Sequence, residues 1–253
     1  MIPFFRKNHL AEELRGLSDF YQGKLKHPRD EVQEYFIKNF GYENFYLTKS
    51  CTQSLELAIM SLNIPKGKEV ILPSYGFVSL ANAVAINGLK CVFVDCERDT
   101  MNISVEAIRN AISKDTAAVM TINYAGVSCD YDAIVDICSK HELYLIEDNA
   151  HGIRCKYKGK DLGAFGDIST ISFDYLKNIS CGEGGGISIN NQSLFHRFIE
   201  AYHFGTNRQD FIEGNVSAYG WVNIGTNALL AESLAVILLS QLENSKGIID
   251  QYL

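Results

Sequence analysis

The sequence predicts an α/β protein, a mainly parallel sheet flanked by helices, and three observations carry that prediction. Short apolar runs recur at Glu69–Leu72, Cys91–Val94, Ala117–Ile122 and Leu143–Ile146. They are apolar almost throughout rather than alternating, which is the pattern of strands covered on both faces. Segments of helical character lie between them, and strand–helix alternation at this spacing is the mark of parallel strands joined by helical crossovers.

Along the chain, the first forty residues read as helical. Ala11–Tyr21 mixes polar and apolar residues, and Asp30–Phe40 carries Val32, Tyr35, Phe36 and Phe40 near helical spacing. Candidate helices then fall at Ser54–Leu62, Ser79–Asn87, Val105–Ile112 and Asp130–His141, between the four apolar runs. Two further strands, Ile168–Phe173 and Gly186–Ile189, flank a lysine-bearing segment, and helices near Ser193–Tyr202 and Ala228–Glu243 follow. No internal repeat or low-complexity linker interrupts the pattern. At 253 residues the chain can bury a large core as one sizeable domain or two small ones.

Composition narrows the function classes. A net charge of −7 argues against a nucleic-acid footprint, although a small anionic substrate can still bind through local donors. No apolar run approaches the ~18–20 residues of a membrane span. The opening Met1–His9 puts its apolar residues before its charges and has no small-residue cleavage site, so a secretory leader is not expected. The seven cysteines are odd in number, scattered and without a CxxC pair, so neither a metal site nor a disulfide framework is expected. A reducing cytoplasm is the simplest setting.

The stretch richest in chemistry is Ser169–Asn178 running into Cys181–Gly186. A β-branched, apolar run delivers Lys177 to its end, and burial there would disfavour the charged amine. An amine so tuned can attack an aldehyde, and this reading has Lys177 carrying pyridoxal phosphate. In an open parallel sheet, ligands gather beyond the carboxyl ends of the strands. Asp148 emerges there; it is either a helix cap or the carboxylate that keeps a cofactor pyridine nitrogen protonated. Ser50–Gln53 fits a capping box, and free N–H groups of Thr52 and Gln53 would add an anion site suited to a phosphate. Ser172 could add a hydroxyl or be structural. Phe77 is either a core aromatic or a ring that stacks on a flat heterocycle. His151 could donate to a cofactor oxygen. The glycines at 182 and 184–186 follow no dinucleotide or P-loop pattern, so they are read as φ freedom for a tight turn beside Lys177.

Together these segments resemble the DegT-type sugar aminotransferases, pyridoxal-phosphate enzymes with the aspartate aminotransferase (type I) fold. The landmarks are Ser50-Cys51-Thr52, Pro73-Ser74 through Phe77 to Ala81-Asn82-Ala83, Glu147-Asp148-Asn149-Ala150, and Ser172-Phe173 with Lys177 and Gly182-Glu183-Gly184-Gly185. Within the family the chain is similar to the WecE-type enzymes, through Met1–Phe4, Asp99–Ile103, Tyr124–Val127, Gly205–Arg208 and Tyr219–Trp221 leading to Ile224-Gly225.

The resemblance implies roles. Lys177 would hold the cofactor covalently and act as catalyst, and Asp148 would pair with the ring nitrogen. Thr52, Gln53 and Ser172 would bind the phosphate, Phe77 would stack on the ring, and His151, where the family often has glutamine, would reach the ring hydroxyl. Asn227 would reach the phosphate of a second subunit, which implies a homodimer with shared active sites. The reaction implied is transfer of an amino group from glutamate to a nucleotide-linked 4-keto-6-deoxy sugar of the dTDP-4-dehydro-6-deoxy-D-glucose type, for surface polysaccharide biosynthesis. Three departures stand out: Gly76 for threonine, Asn123 for histidine and Leu229 for arginine. Residues 1–253 would form the cofactor-binding large domain with an N-terminal helical segment, without the smaller C-terminal domain of family members. A chain of that extent raises the alternative of a catalytically impaired remnant or subunit that binds cofactor or only dimerises. Family dehydratases carry histidine at the lysine position, and Lys177 argues against that chemistry.

Overall fold

A computed structural model describes residues 11–249. The opening Met1–Phe4 landmark lies outside them. The N-terminal helices are α1 (Ala11–Tyr21) and α2 (Pro28–Phe40). Pro28 supplies the preset φ of a first helical turn, Asp30 and Glu31 complement its dipole, and Gly41 in the left-handed region (φ 67°) stops it.

The chain then winds through β1 (Phe45–Thr48), α3 (Cys51–Leu62), β2 (Glu69–Pro73), α4 (Ser79–Ile86), β3 (Lys90–Val94), α5 (Val105–Ala111), β4 (Thr116–Ile122), α6 (Tyr131–Lys140) and β5 (Tyr144–Asp148). A small hairpin, β6 (Lys156–Tyr157) and β7 (Lys160–Asp161), precedes β8 (Ile168–Ser172) and β9 (Gly185–Ile189). Helices α7 (Phe195–Tyr202), α8 (Arg208–Ile212), α9 (Glu232–Glu243) and α10 (Ser245–Ile249) complete the described residues.

The seven main strands form one sheet in the order β1-β9-β8-β5-β4-β2-β3. Pairing is parallel except where β9 meets β8 and β1, so β9 alone runs against the rest. Side-chain alternation divides the core cleanly. Val70, Leu72, Met120, Ile146, Ile168 and Ile187 pack with α3, α4 and α7 on one face. On the other face Ile71, Val119 and Leu145 meet α5 and α6, while Phe45, Leu47 and Ile171 meet α2 and α9. The mainly parallel, doubly covered sheet is therefore as expected.

Several boundaries differ from the sequence reading, each for a visible reason. Helix α3 begins at Cys51 rather than Ser54, because the Ser50 side chain already caps it by accepting the Gln53 N–H at 3.1 Å. Helix α9 begins at Glu232 rather than Ala228. Lys49 N–H donates to the Ala228 carbonyl at 3.0 Å and Leu229 bridges Thr48, which holds that stretch extended. The β3 run is the sheet edge and is only partly buried, with Phe93 exposed. Strand β1 escaped the sequence reading because only four residues separate Asn44 from Lys49.

Candidate active site

Strand register assembles the site. Ile122, Asp148 and Thr170 lie side by side across β4, β5 and β8, and Ser172, Gly185 and Thr48 across β8, β9 and β1. The carboxyl ends of the parallel strands therefore bring the loops bearing Phe77, His151 and Lys177, and the start of α3, to one edge.

Asp148, 3% exposed, ends β5. Its Oδ1 accepts the Ala150 N–H at 2.9 Å and faces the Cys51 thiol, with Sγ at 3.9 Å. Oδ2 has no hydrogen-bond partner among the described residues and is not an orphaned buried atom, so it keeps some accessible surface. Burial raises the carboxyl to about 6, against the pull of the Ala150 N–H, the Lys177 charge and the Cys51 thiol. Burial, and then the Asp148 charge, push the Cys51 thiol well above the usual range, so it stays protonated as a donor.

The start of α3 corrects one expectation. Gln53 N–H is committed to Ser50 and is not free. The N–H groups without an acceptor among the described residues belong to Cys51 and Thr52, and they point the positive end of a twelve-residue helix outward. Thr52 Oγ1 lies 2.7 Å from Ser79 Oγ, tying α3 to α4. The Gln53 side chain turns to Thr226 and to the Asn227 carbonyl, with Nε2 donating at 3.4 and 3.3 Å. Asn227 itself is exposed.

Lys177 is not at a strand end. Strand β8 stops at Ser172, and Lys177 sits half-buried in the following loop, where its N–H donates to the Asp174 carbonyl at 2.9 Å. The loop's neck is pinned by Phe173 N–H to Gly184 O at 2.9 Å and Cys181 N–H to Phe173 O at 3.2 Å. Ser172 is nearly buried at the base of this loop. Lys177 is close enough for its charge to act on Asp148, Cys51 and His151.

The glycine cluster also departs from its reading. Only Gly182 takes a left-handed φ, 95°. The others are extended and serve close approach: a Cβ on Gly185 would stand 2.4 Å from Cys51 N and Ser50 C, and one on Gly186 would stand 2.2 Å from the Phe45 ring. The missing side chain at Gly185 is what lets the start of α3 settle onto β9.

Phe77 is 69% exposed, so it is not a core aromatic. His151 Nδ1 accepts the Ala125 N–H at 3.2 Å, and its ring meets the Tyr124 ring edge-on at 5.4 Å. Burial, then the Lys177 charge, lower His151 to about 4, which keeps the imidazole neutral. The sequence reading assigned no role to Cys51 or to the Tyr75–Tyr124 ring pair, whose centroids are 4.7 Å apart. Cys51 could have been found: it stands inside the Ser-Cys-Thr landmark.

The three departures are structurally mild. A Cβ at Gly76 would meet nothing closer than Ile122 Cγ2 at 3.9 Å. Leu229 packs against the core. Asn123 is wholly buried, accepting from Tyr131 Oη at 2.8 Å and donating to Glu147 Oε2 at 3.4 Å. Glu147 in turn accepts the N–H groups of Gly163, Phe165 and Gly166 at 2.7 to 2.9 Å.

Among the described residues no group of His, Cys, Asp or Glu is arranged to hold a metal, and all seven cysteines are unpaired. Among the described residues no helix is long and apolar enough to cross a membrane. A cavity of about 490 Å³ lies at the opposite end of the strands beside Cys138, Asp167 and Asn190. It contains none of the candidate residues.

A buried carboxylate open on one oxygen, an anion-ready helix start, an exposed aromatic ring and a half-buried lysine share one edge of a type I α/β sheet. The chain belongs to the DegT/DnrJ/EryC1/StrS aminotransferase family, which it matches over residues 20–251. It is similar to an uncharacterized protein of Methanocaldococcus jannaschii, 40% identical over 196 residues covering 76% of this chain and 51% of that protein. The chain thus spans about half the length of this curated relative. The structure of an aminotransferase from Psychrobacter cryohalolentis superposes with a TM-score of 0.88 at 26% identity, covering 96% of this chain and 64% of that one. PseC of Helicobacter pylori, an aminotransferase in pseudoaminic acid biosynthesis, shares the fold with a TM-score of 0.88 at 23% identity, covering 97% and 66%.

Proposed function

We propose that residues 1–253 form the cofactor-binding large domain of a sugar aminotransferase that holds pyridoxal phosphate at this edge. The observation that carries the reading is Asp148, buried with both protein donors on Oδ1 and its Oδ2 still accessible and without a partner among the described residues. That is the state needed by a carboxylate meant for an outside N–H. The residues suit the group chemically: free Cys51 and Thr52 N–H groups with the Ser172 hydroxyl for a phosphate, the exposed Phe77 for a ring face, the neutral His151 for a ring oxygen.

When bound, pyridoxal phosphate supplies an aldehyde for amine exchange and an electron-withdrawing ring. Lys177 Nζ would bind that aldehyde and, when displaced, carry a proton as general base. Asp148 Oδ2 would keep a proton on the ring nitrogen, and Phe77 would orient the ring. Glutamate is the amino donor in this reading, and a nucleotide-linked 4-keto-6-deoxy sugar of the dTDP-4-dehydro-6-deoxy-D-glucose type is the acceptor, as in the WecE-type enzymes and surface polysaccharide biosynthesis. The lysine at position 177 favours amino transfer over the dehydration run by relatives with histidine there. A homodimer with shared sites is part of the proposal. Its support is the exposed Tyr219, Trp221, Val222 and Ile224 leading to the exposed Asn227, an apolar stretch suited to a second copy. Seven unpaired cysteines support a reducing, cytoplasmic setting.

The test is borohydride reduction of the chain loaded with pyridoxal phosphate, followed by peptide mapping. A reduced adduct on Lys177, absent in Lys177→Ala, is expected; an adduct elsewhere, or none, overturns the assignment. Conversion of glutamate with the nucleotide sugar tests the reaction, and cofactor held without transfer would reduce the proposal to binding.

A further inference from the structure

We infer that Asn102 is a positioning residue: it braces the Tyr124–Val127 turn, and that turn locks His151 as the tautomer protonated on Nε2. The functional meaning of the lock rests on the reading proposed above, while the lock itself is a property of this chain alone.

Asn102 lies in the loop after β3, inside the Asp99–Ile103 segment, and is 2% exposed. Its amide uses both ends on one target. Nδ2 donates to the Val127 carbonyl at 3.0 Å, and Oδ1 accepts the Tyr124 N–H at 3.2 Å. A carboxylate could not replace it, because it has no donor for Val127. The loop that carries Asn102 is itself closed, by Glu97 N–H to Asn102 O at 2.8 Å and Met101 N–H to Glu97 O at 2.9 Å.

Between the two anchored ends, Ala125 is held in the left-handed region at φ 53° and ψ 22°, a conformation a non-glycine residue adopts at a cost. The following Gly126 (φ 81°) is packed so closely that a Cβ would stand 2.8 Å from Cys155 Sγ and 3.3 Å from the His151 carbonyl. The strained turn is thereby seated on the histidine's own backbone. Its product is one bond, the Ala125 N–H donated to His151 Nδ1. A ring nitrogen that accepts carries no proton, so the neutral imidazole keeps its proton on Nε2. Nε2 has no partner among the described residues and is not an orphaned buried atom. The ring presents a fixed donor, and the Tyr124 ring edge limits its rotation.

A histidine without this brace could offer either a donor or an acceptor to a ring oxygen. The lock leaves only the donor. The test uses the full chain with ¹⁵N-labelled histidine, first without cofactor, the His151 signal being assigned by its loss in His151→Gln. The wild type should show Nδ1 unprotonated and Nε2 protonated, and Asn102→Ala should show mixed tautomers. Affinity for pyridoxal phosphate should fall about twofold in Asn102→Ala, the loss expected when about half the imidazoles carry their proton on the wrong nitrogen. In a His151→Gln background the same substitution should leave affinity unchanged, since glutamine has its own amide donor and no tautomer to fix. If Asn102→Ala does not fold, Asn102→Asp, which keeps the acceptor and removes the donor, takes its place. An unchanged tautomer pattern, or an equal loss of affinity in both backgrounds, overturns the inference. Failure of the wild type to take up pyridoxal phosphate overturns the proposed function instead, and the spectrum without cofactor still decides the lock.

Discussion

Cys51 Sγ lies 3.9 Å from Asp148 Oδ1, so the first residue of α3 touches the carboxylate that ends β5. The helix start that offers N–H groups to an anion is thereby fixed against the one acid of the site. Thr170, 3.6 Å from the same sulfur, closes the contact from β8.

The acid sets a pH dependence. Asp148 titrates at about 6 in the folded chain against 3.8 when unperturbed. The folded state then binds the proton more tightly than the unfolded one, so this carboxyl favours folding below about pH 4 and loses that contribution as pH rises to about 6. The difference is on the order of 3 kcal/mol. Urea unfolding of cofactor-free Asp148→Asn at pH 4 and pH 7 should show the variant gaining relative to wild type at the higher pH, while it binds pyridoxal phosphate more weakly. Parallel stability curves would refute the burial argument.

The adjacent Glu147 is a structural anchor. Three backbone N–H groups converge on its carboxylate. Glu147→Gln replaces an acceptor oxygen with a donor amide facing donors, and should destabilise by about 3 kcal/mol. Thermal unfolding of the cofactor-free protein would measure it.

Two glycines of one cluster should fail for different reasons. Gly185→Ala forces a Cβ into the Ser50–Cys51 backbone and should cost about 3 kcal/mol while weakening phosphate binding. Gly182→Ala meets no atom within 4 Å and pays only for its backbone angle, roughly 1 to 2 kcal/mol. Phosphate inhibition of cofactor uptake, measured beside unfolding, separates the two.

Two phenylalanines separate stability from binding. Phe36 stacks on Phe45 at 4.0 Å and also meets Phe40, Tyr42 and Phe173, so Phe36→Ala should cost about 3 to 5 kcal/mol. The exposed Phe77 should leave stability within about 0.5 kcal/mol when replaced by alanine. Its cofactor affinity should fall about fivefold, the worth of one aromatic stack. Fluorescence titration with pyridoxal phosphate reads the second effect directly.

The central architecture was legible in the sequence because each buried strand is a continuous apolar run between helices, as at Ala117–Ile122 and Leu143–Ile146. Strand β1 was not, since Phe45–Thr48 runs straight into a helix cap. Asp148 and the capping serine were legible as local patterns. The purpose of Gly184–Gly186 was not, because close approach depends on Ser50 and Phe45, distant in sequence. Asn102 and Ala125 were invisible as determinants of His151 for the same reason: hydrogen bonds between loops leave no periodicity. The distance of Lys177 from the strand was hidden because Phe173, Tyr175 and Leu176 prolong the apolar character of the run past Ser172.

The reversed strand β9 governs the order of assembly. Among the described strands β1 pairs with β9 alone, with Leu229 bridging its Thr48, and the helices before it lean on α9. Residues near 45 can meet Phe36 and Tyr42 early but complete their contacts only with residues near 185 and 235, whereas β2 to β5 can pair among themselves as they are made. Such distant pairings are slow to form. During synthesis the N-terminal layer is an early-made but late-docking lid on its own core, and the aromatic cluster around Phe36 stays unburied until the ribosome has delivered most of the chain.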